Sequence, residues 1–308
     1  MARRRKGQSI NGWLILDKPL GLTSTRAVGR VRYLFDASKA GHAGTLDPLA
    51  TGILPLALGE ATKTMPFVVD GSKAYRFTVR FGAETDTDDA EGKVVKTSDQ
   101  RPTRAEIEAA LPSFTGDINQ IPPRYSAIKV DGGRAYKLAR EEEDFELSAR
   151  TVTIDRLELA EHADEDHCVI EAECGKGTYV RAIARDLGRM LGCLGHVEVL
   201  RRTRVGGFTE ADTVTLAEIE EVAASEEGKQ ALLSLLRPVE TALQDIPALS
   251  FSSSDAARLR QGQPVMLRGR DAPIMGGTVY AVSRGALVAL GDVSQGEFRP
   301  KRIFNLPG

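Results

Sequence analysis

At 308 residues, with 42% hydrophobic and 27% charged side chains, the chain has the composition of an ordinary globular protein long enough for two domains. No apolar run is long enough to cross a bilayer, and the basic stretch Met1–Lys6 leads into polar residues rather than the apolar core of a signal peptide, so a cytoplasmic protein with no membrane partner is expected. The net charge of -2 hides a division: residues 1–41 hold nine Lys/Arg against two Asp/Glu, residues 247–308 hold eight against four, and the middle is acidic. Basic ends around an acidic middle suit a protein that meets phosphate locally, although exposed tails are often charged without any such partner.

In chain order, Trp13–Leu16 predicts a short strand ending at Asp17-Lys18-Pro19. A helix is predicted with Thr23 or Ser24 as N-cap and Val28, Val31, Leu34 and Phe35 on one face. The glycine-rich stretch Gly41–Pro48 reads as a loop leading into a second, apolar helix. Tyr75, Phe77, Val79 and Phe81 alternate with Arg76, Thr78 and Arg80, the period of a half-buried strand. Glu84–Gly92 is an acidic turn and Arg104–Leu111 a short amphipathic helix. Ile121–Arg140, with two prolines, paired glycines and several basic residues, predicts a long loop or arm. Thr151–Leu159 and Cys168–Glu173 read as paired strands, and Thr178–Leu191 as the clearest helix, with Val180, Ile183 and Leu187 at helical spacing. Helices rich in alanine and glutamate follow to about Gln244. From Pro247 the texture changes to alternating apolar residues and glycines behind a short helix, Ser253–Gln261. The expected class is α+β: a large mixed sheet with helices over residues 1–246, then a small β domain over 247–308.

Several chemistries lack their signatures. Three cysteines, Cys168, Cys174 and Cys193, form no CxxC pair, and the four histidines have no metal-ligand spacing with them, so neither a disulfide framework nor a metal enzyme is expected. There is no GxxxxGK[ST], no GxGxxG after a strand and no nucleophile elbow, so no cofactor is expected. The strongest local signal is Gly41–Lys63, GHAGTLDPLATGILPLALGEATK, whose glycines permit a tight turn that sets His42 and Asp47 on one exposed loop. Asp-Pro is also a common way to open a helix, with Asp as N-cap and Pro48 at the first helical position, and spacing alone favours that structural role.

GHAGTLDPLATGILP resembles the signature of the TruB family, the tRNA pseudouridine-55 synthases. Further blocks follow in the family's order across about residues 11–205: Asp17-Lys18-Pro19, Ala74-Tyr75-Arg76, QIPPRYSAIKVDGGRAYKLAR at Gln120–Arg140, and GKGTYVRAIARDLG at Gly175–Gly188. Ala43 stands where many members carry Thr, and Gly175 where many carry Ser.

The resemblance implies a pseudouridine synthase fold, with a large, mostly antiparallel mixed sheet and a small PUA-like domain after it. It implies Asp47 as the catalytic residue, with Arg181 as its guanidinium partner and Tyr75 and Tyr179 as supporting groups. A carboxylate suits the reaction because it can attack or stabilise positive character at C1′, or remove a sugar proton; the route through C1′ attack and the route through a glycal both remain open. Tyr75 is expected to stack on the base and Tyr179 to order the pocket. His42, Lys18 and Leu200 are expected at the substrate, and Arg124, Lys129 and Arg134 on phosphates, within an RNA-clasping loop at about 120–150. For each tyrosine and for Leu200 core packing is the plainer alternative, and for His42 it is a turn histidine with no partner. The implied partner is the T arm of tRNA, with no guide RNA and a monomeric protein. Three rivals stand beside this reading: an RNA-folding factor without turnover, a guide-dependent relative, and a hydrolase that releases uracil.

Overall fold

A computed structural model of the chain describes residues 7–130, 133–141, 143–267 and 276–306, the side chains of Arg134 and Lys229 excepted. The basic stretch at residues 1–6 therefore lies outside the described residues. The first strand, Gly12–Lys18, shows why the sheet forms. Its side chains are apolar on both faces: Leu14 and Leu16 enter the core beneath the helices, while Trp13 and Ile15 enter a second core on the opposite face. The same period of two divides Leu54 and Leu56 from Ile53 and Ala57 in the strand Ala50–Leu58. A strand buried on both faces reads as a continuous apolar run, the pattern expected of the middle of a covered sheet.

These strands belong to a ten-stranded sheet. Its main path runs Val214–Thr215, Gly12–Lys18, Ala50–Leu58, Gly195–Val205, Lys73–Phe81, His167–Cys174, Arg150–His162 and Gly116–Gln120, with Ala40–His42 and Phe208–Thr209 attached at the side. Two pairings are parallel, Gly12–Lys18 with Val214–Thr215 and Ala50–Leu58 with Gly195–Val205; the others are antiparallel. The helices Ser24–Leu34, Arg104–Ala110, Val180–Met190 and Leu216–Ala224 contribute Val31, Ile107, Ile183, Leu187 and Ile219 to the first core. Burial of each such side chain contributes about 1.5–3 kcal/mol.

The apolar helix expected after Pro48 is the strand Ala50–Leu58 instead. Apolar residues on both sides of the run leave no polar face for a surface helix, and Gly52 takes a φ of 96°, which a helix does not accommodate. The expected arm at 121–140 carries regular structure: Lys129–Val130 pairs antiparallel with Gly133–Arg134, and the helix Ala135–Arg140 follows.

The second sheet has five strands in the order Ala248–Ser250, Gly277–Ser283, Ala286–Ser294, Glu297–Ile303 and Val265–Met266, with the helix Ser253–Arg260 packed on it. It is docked on the large sheet, not tethered beside it. Leu287, Leu290 and Phe304 join Trp13, Ile53 and Val68 in the second core. Lys63 Nζ donates to the Ile303 carbonyl at 2.7 Å, and the Asn305 amide donates to the Glu60 carboxylate at 2.7 Å.

Candidate active site

The glycine-rich stretch crosses the edge of the first core as a loop in which five successive carbonyls are all held. The Gly44 and Thr45 carbonyls accept from the Arg202 guanidinium, each at 3.3 Å. The Leu46 carbonyl accepts from Ser24 Oγ at 2.9 Å, and the Asp47 carbonyl from the Ala50 amide at 3.1 Å. The Pro48 carbonyl accepts from the Gly21 amide at 2.8 Å and from Lys18 Nζ at 3.3 Å. Gly44 has a φ of 92°, which is why the turn needs glycine there. With its backbone fixed in this way, the loop presents the Asp47 side chain, 36% exposed, at the surface.

Arg181 meets it. The helix Val180–Met190 begins one residue earlier, and Gln120 clamps that start by accepting from the Tyr179 amide at 2.8 Å and donating to the Tyr179 carbonyl at 3.2 Å. Arg181 Nε lies 2.9 Å from Asp47 Oδ2. The rest of its guanidinium donates to the Thr87 carbonyl at 2.8 Å and the Tyr125 carbonyl at 2.9 Å, and lies 3.4 Å from Asp89 Oδ2. Arg181 is 5% exposed in its side chain, so the charge pair has one dry and one wet partner. A buried guanidinium bonded through all three nitrogens is a rigid anchor for one carboxylate oxygen.

Asp89 and Thr87 come from the acidic turn, which is mostly buried: Glu84, Thr85, Asp88 and Asp89 are all below 7% exposure. It latches onto the helix through arginines spaced four apart. Arg181 faces Asp89, Arg185 Nη1 lies 2.9 Å from Asp88 Oδ2, and Arg189 Nη2 lies 2.5 Å from Glu84 Oε1. Burial pushes the Asp88 carboxyl up to about 6 against the pull of Arg185, and raises Asp89 against the Thr87 hydroxyl and Arg181.

Tyr75, in the strand Lys73–Phe81, and Tyr179 are both half-buried. Burial raises both phenol pKa values; the Arg202 charge partly offsets this at Tyr75. His42 ends the short strand Ala40–His42; its Nδ1 is buried without a hydrogen-bond partner, and burial lowers its pKa. Leu200 is 4% exposed and belongs to the first core, paired between Ala50 and Phe77, so it offers the site little more than an edge.

Lys18, expected at the substrate, is fully buried, and its ammonium donates to the Pro19, Leu22 and Pro48 carbonyls at 2.9, 2.8 and 3.3 Å. Three donors spent on three carbonyls leave none for a ligand, so its place is beneath the loop as an anchor; burial lowers its pKa to about 8, with Asp47 acting in the opposite direction. Among the arm residues, Arg124 donates to the Glu143 carbonyl at 3.1 Å and covers the Phe145 ring at 4.9 Å, while Lys129 is exposed without a side-chain partner among the described residues. The Arg134 side chain lies outside the described residues.

Sequence reasoning missed Asp89 and Arg202. Asp89 had a signal in the spacing of Arg181, Arg185 and Arg189 opposite an acidic run; Arg202, in an arginine-rich strand, had none. Among the described residues no group of three or more His, Cys, Asp or Glu is placed to hold a metal ion, and no helix is long and apolar enough to cross a membrane.

Residues 32–180 match the family model described as TruB family pseudouridylate synthase (N terminal domain), and residues 181–244 match the tRNA pseudouridylate synthase B C-terminal domain. The chain is 59% identical over 308 residues to the tRNA pseudouridine synthase B of Nitrobacter winogradskyi, covering 99% of this chain and 86% of that one. It is 53% identical over 321 residues to the protein of that name from Brucella ovis, covering 99% of both. Among solved structures, a Cbf5-Nop10-Gar1 complex superposes with a TM-score of 0.73 at 24% identity, covering 96% of this chain and 84% of that one, a likeness of fold. The expectation of a pseudouridine synthase fold is met, and the chain belongs to the TruB family of pseudouridylate synthases.

Proposed function

We propose that the chain isomerises uridine 55 in the T loop of tRNA to pseudouridine, with Asp47 as the catalytic carboxylate. The observation that carries the assignment of Asp47 is its pairing with a buried Arg181, itself bonded to the Thr87 and Tyr125 carbonyls, while the Asp47 side chain stays 36% exposed. The relatives' name, tRNA pseudouridine synthase B, supports the reaction and the substrate class.

The reaction breaks N1–C1′, turns the uracil and joins C5 to C1′; the C5 proton leaves and N1 gains one, so atoms balance without a cofactor. An ionised carboxylate beside the anomeric carbon can attack C1′ or take a sugar proton. Arg181 holds Asp47 in place and aimed. Tyr75 offers a ring face for the flipped base, and Tyr179 walls the same cleft. His42, half-buried at the end of its strand, touches the nucleotide as it leaves the loop.

The target base is stacked in the folded T loop, and extruding it costs a few kcal/mol. Contacts from the arm, Arg124, Lys129 and Arg134 among them, offset that cost on the backbone phosphates. The small second domain extends the grip. The chain acts as a monomer in the cytoplasm and needs no guide RNA.

The test is the purified chain alone, without metal, nucleotide or guide RNA, on a T-arm transcript. Pseudouridine at one position is the expected result. No product from a correctly folded substrate would contradict the reading, and free uracil would favour hydrolysis.

A further inference from the structure

Arg202 is among the largest fully buried side chains of the molecule, 1% exposed, and no carboxylate lies within ion-pair distance of it among the described residues. A buried cation without a counter-ion is costly, so its three bonds call for a reason. Nε donates to the Ile53 carbonyl at 2.8 Å, and the two terminal nitrogens reach the Thr45 and Gly44 carbonyls. Gly44 and Ile53 stand on either side of Asp47 in the chain. One rigid, planar fork therefore ties together both flanks of the segment that bears the carboxylate.

The backbone of Arg202 is fixed just as closely. A Cβ at Gly52 would lie 2.3 Å from the Arg202 carbonyl oxygen, and Gly52 has a φ of 96°, so the two strands meet there at a distance only glycine permits. In the same register Arg202 pairs with Tyr75 on its other side. The fork thus starts from an immobile point between the carboxylate loop and the tyrosine strand.

We infer that Arg202 is a positioning residue for the isomerisation, closing the Gly44–Ile53 segment so that Asp47 is held opposite Arg181. The assignment rests on the proposed function. Its charge also reaches Tyr75, His42 and Lys18, pulling the pKa of each downward, so the groups around the carboxylate loop share one buried positive centre. A lysine at this position keeps the charge but not the fork.

The experiment compares Arg202→Lys, Arg202→Gln and the wild-type chain for thermal unfolding, tRNA affinity, single-turnover pseudouridine formation and hydrogen exchange at the Ala50 amide, which donates to the Asp47 carbonyl. Both variants are expected to fold and to bind tRNA within about twofold of wild type. The single-turnover rate is expected to fall by about 100-fold, the scale of a 1 Å misplacement of a catalytic group. The Ala50 amide is expected to exchange faster. A folded variant with a wild-type rate, or a rate loss matched by an equal loss of affinity, would overturn the assignment, and failure of both variants to fold would make Arg202 a plain core residue. A wild-type chain that makes no pseudouridine would instead sink the proposed function.

Discussion

Asp47 and Lys18 show how differently two residues of one resemblance are used. Both were legible in the sequence as parts of motifs, but the motif did not say that Lys18 faces inward. Its ammonium supports the Pro48 carbonyl and thereby the residue before it. Lys18→Met is expected to lower the single-turnover rate by about 100-fold, as a slightly misplaced carboxylate would, while tRNA affinity stays close to wild type. Single-turnover kinetics beside filter binding checks this; a defect in affinity alone would return Lys18 to the substrate. Arg202 was illegible for a physical reason: its partners lie about 150 positions away and are backbone carbonyls, which leave no trace in side-chain spacing.

At the level of elements, the acidic turn at 84–89 and the helix Val180–Met190 act as a latch that positions Arg181. The folded chain holds the Asp88 carboxyl at about 6 against an ordinary 3.8, mainly through burial. Between those values the folded state keeps a proton that the unfolded chain has released. This group therefore favours folding as pH falls through 6, and that contribution is gone above 6. Asp88→Asn is expected to flatten this part of the pH dependence of Tm, measured by thermal melts from about pH 4 to 7; an unaltered slope relative to wild type would contradict the buried latch. Strand and helix periods in the sequence placed Lys73–Phe81 and Val180–Met190 well, because a buried face sets the pattern in each, while Gly12–Lys18, buried on both faces, was placed by its short apolar run ahead of Asp17-Lys18-Pro19. They failed at Ala50–Leu58, where burial on both faces erases the period and leaves helix and strand alike in composition.

The sequence as a whole carries its charge unevenly, with basic ends around an acidic middle, while Arg181 links Asp47 to the arm through the Tyr125 carbonyl. Binding to RNA through such an arm is expected to weaken steeply with salt. Lys129→Ala should reduce the slope of log Kd against log salt by about 1 and leave the rate of chemistry on bound RNA unchanged. A salt titration of tRNA binding checks it, and an unchanged slope would remove Lys129 from the phosphate contacts. The sequence marked the change of texture at Pro247, and the second sheet begins with Ala248–Ser250. What it did not reveal is that Leu287, Leu290 and Phe304 complete a core begun by Trp13, because a shared core is a property of docking and not of either domain's own pattern.

One carboxylate carries the proposed chemistry. Asp47→Asn keeps the shape and the loop's carbonyl anchors but removes the charge that Arg181 holds, so it should bind tRNA within a few-fold of wild type and release no tritium from C5-labelled uridine in the T loop. Tritium release by this variant at anything near the wild-type rate would contradict the central claim.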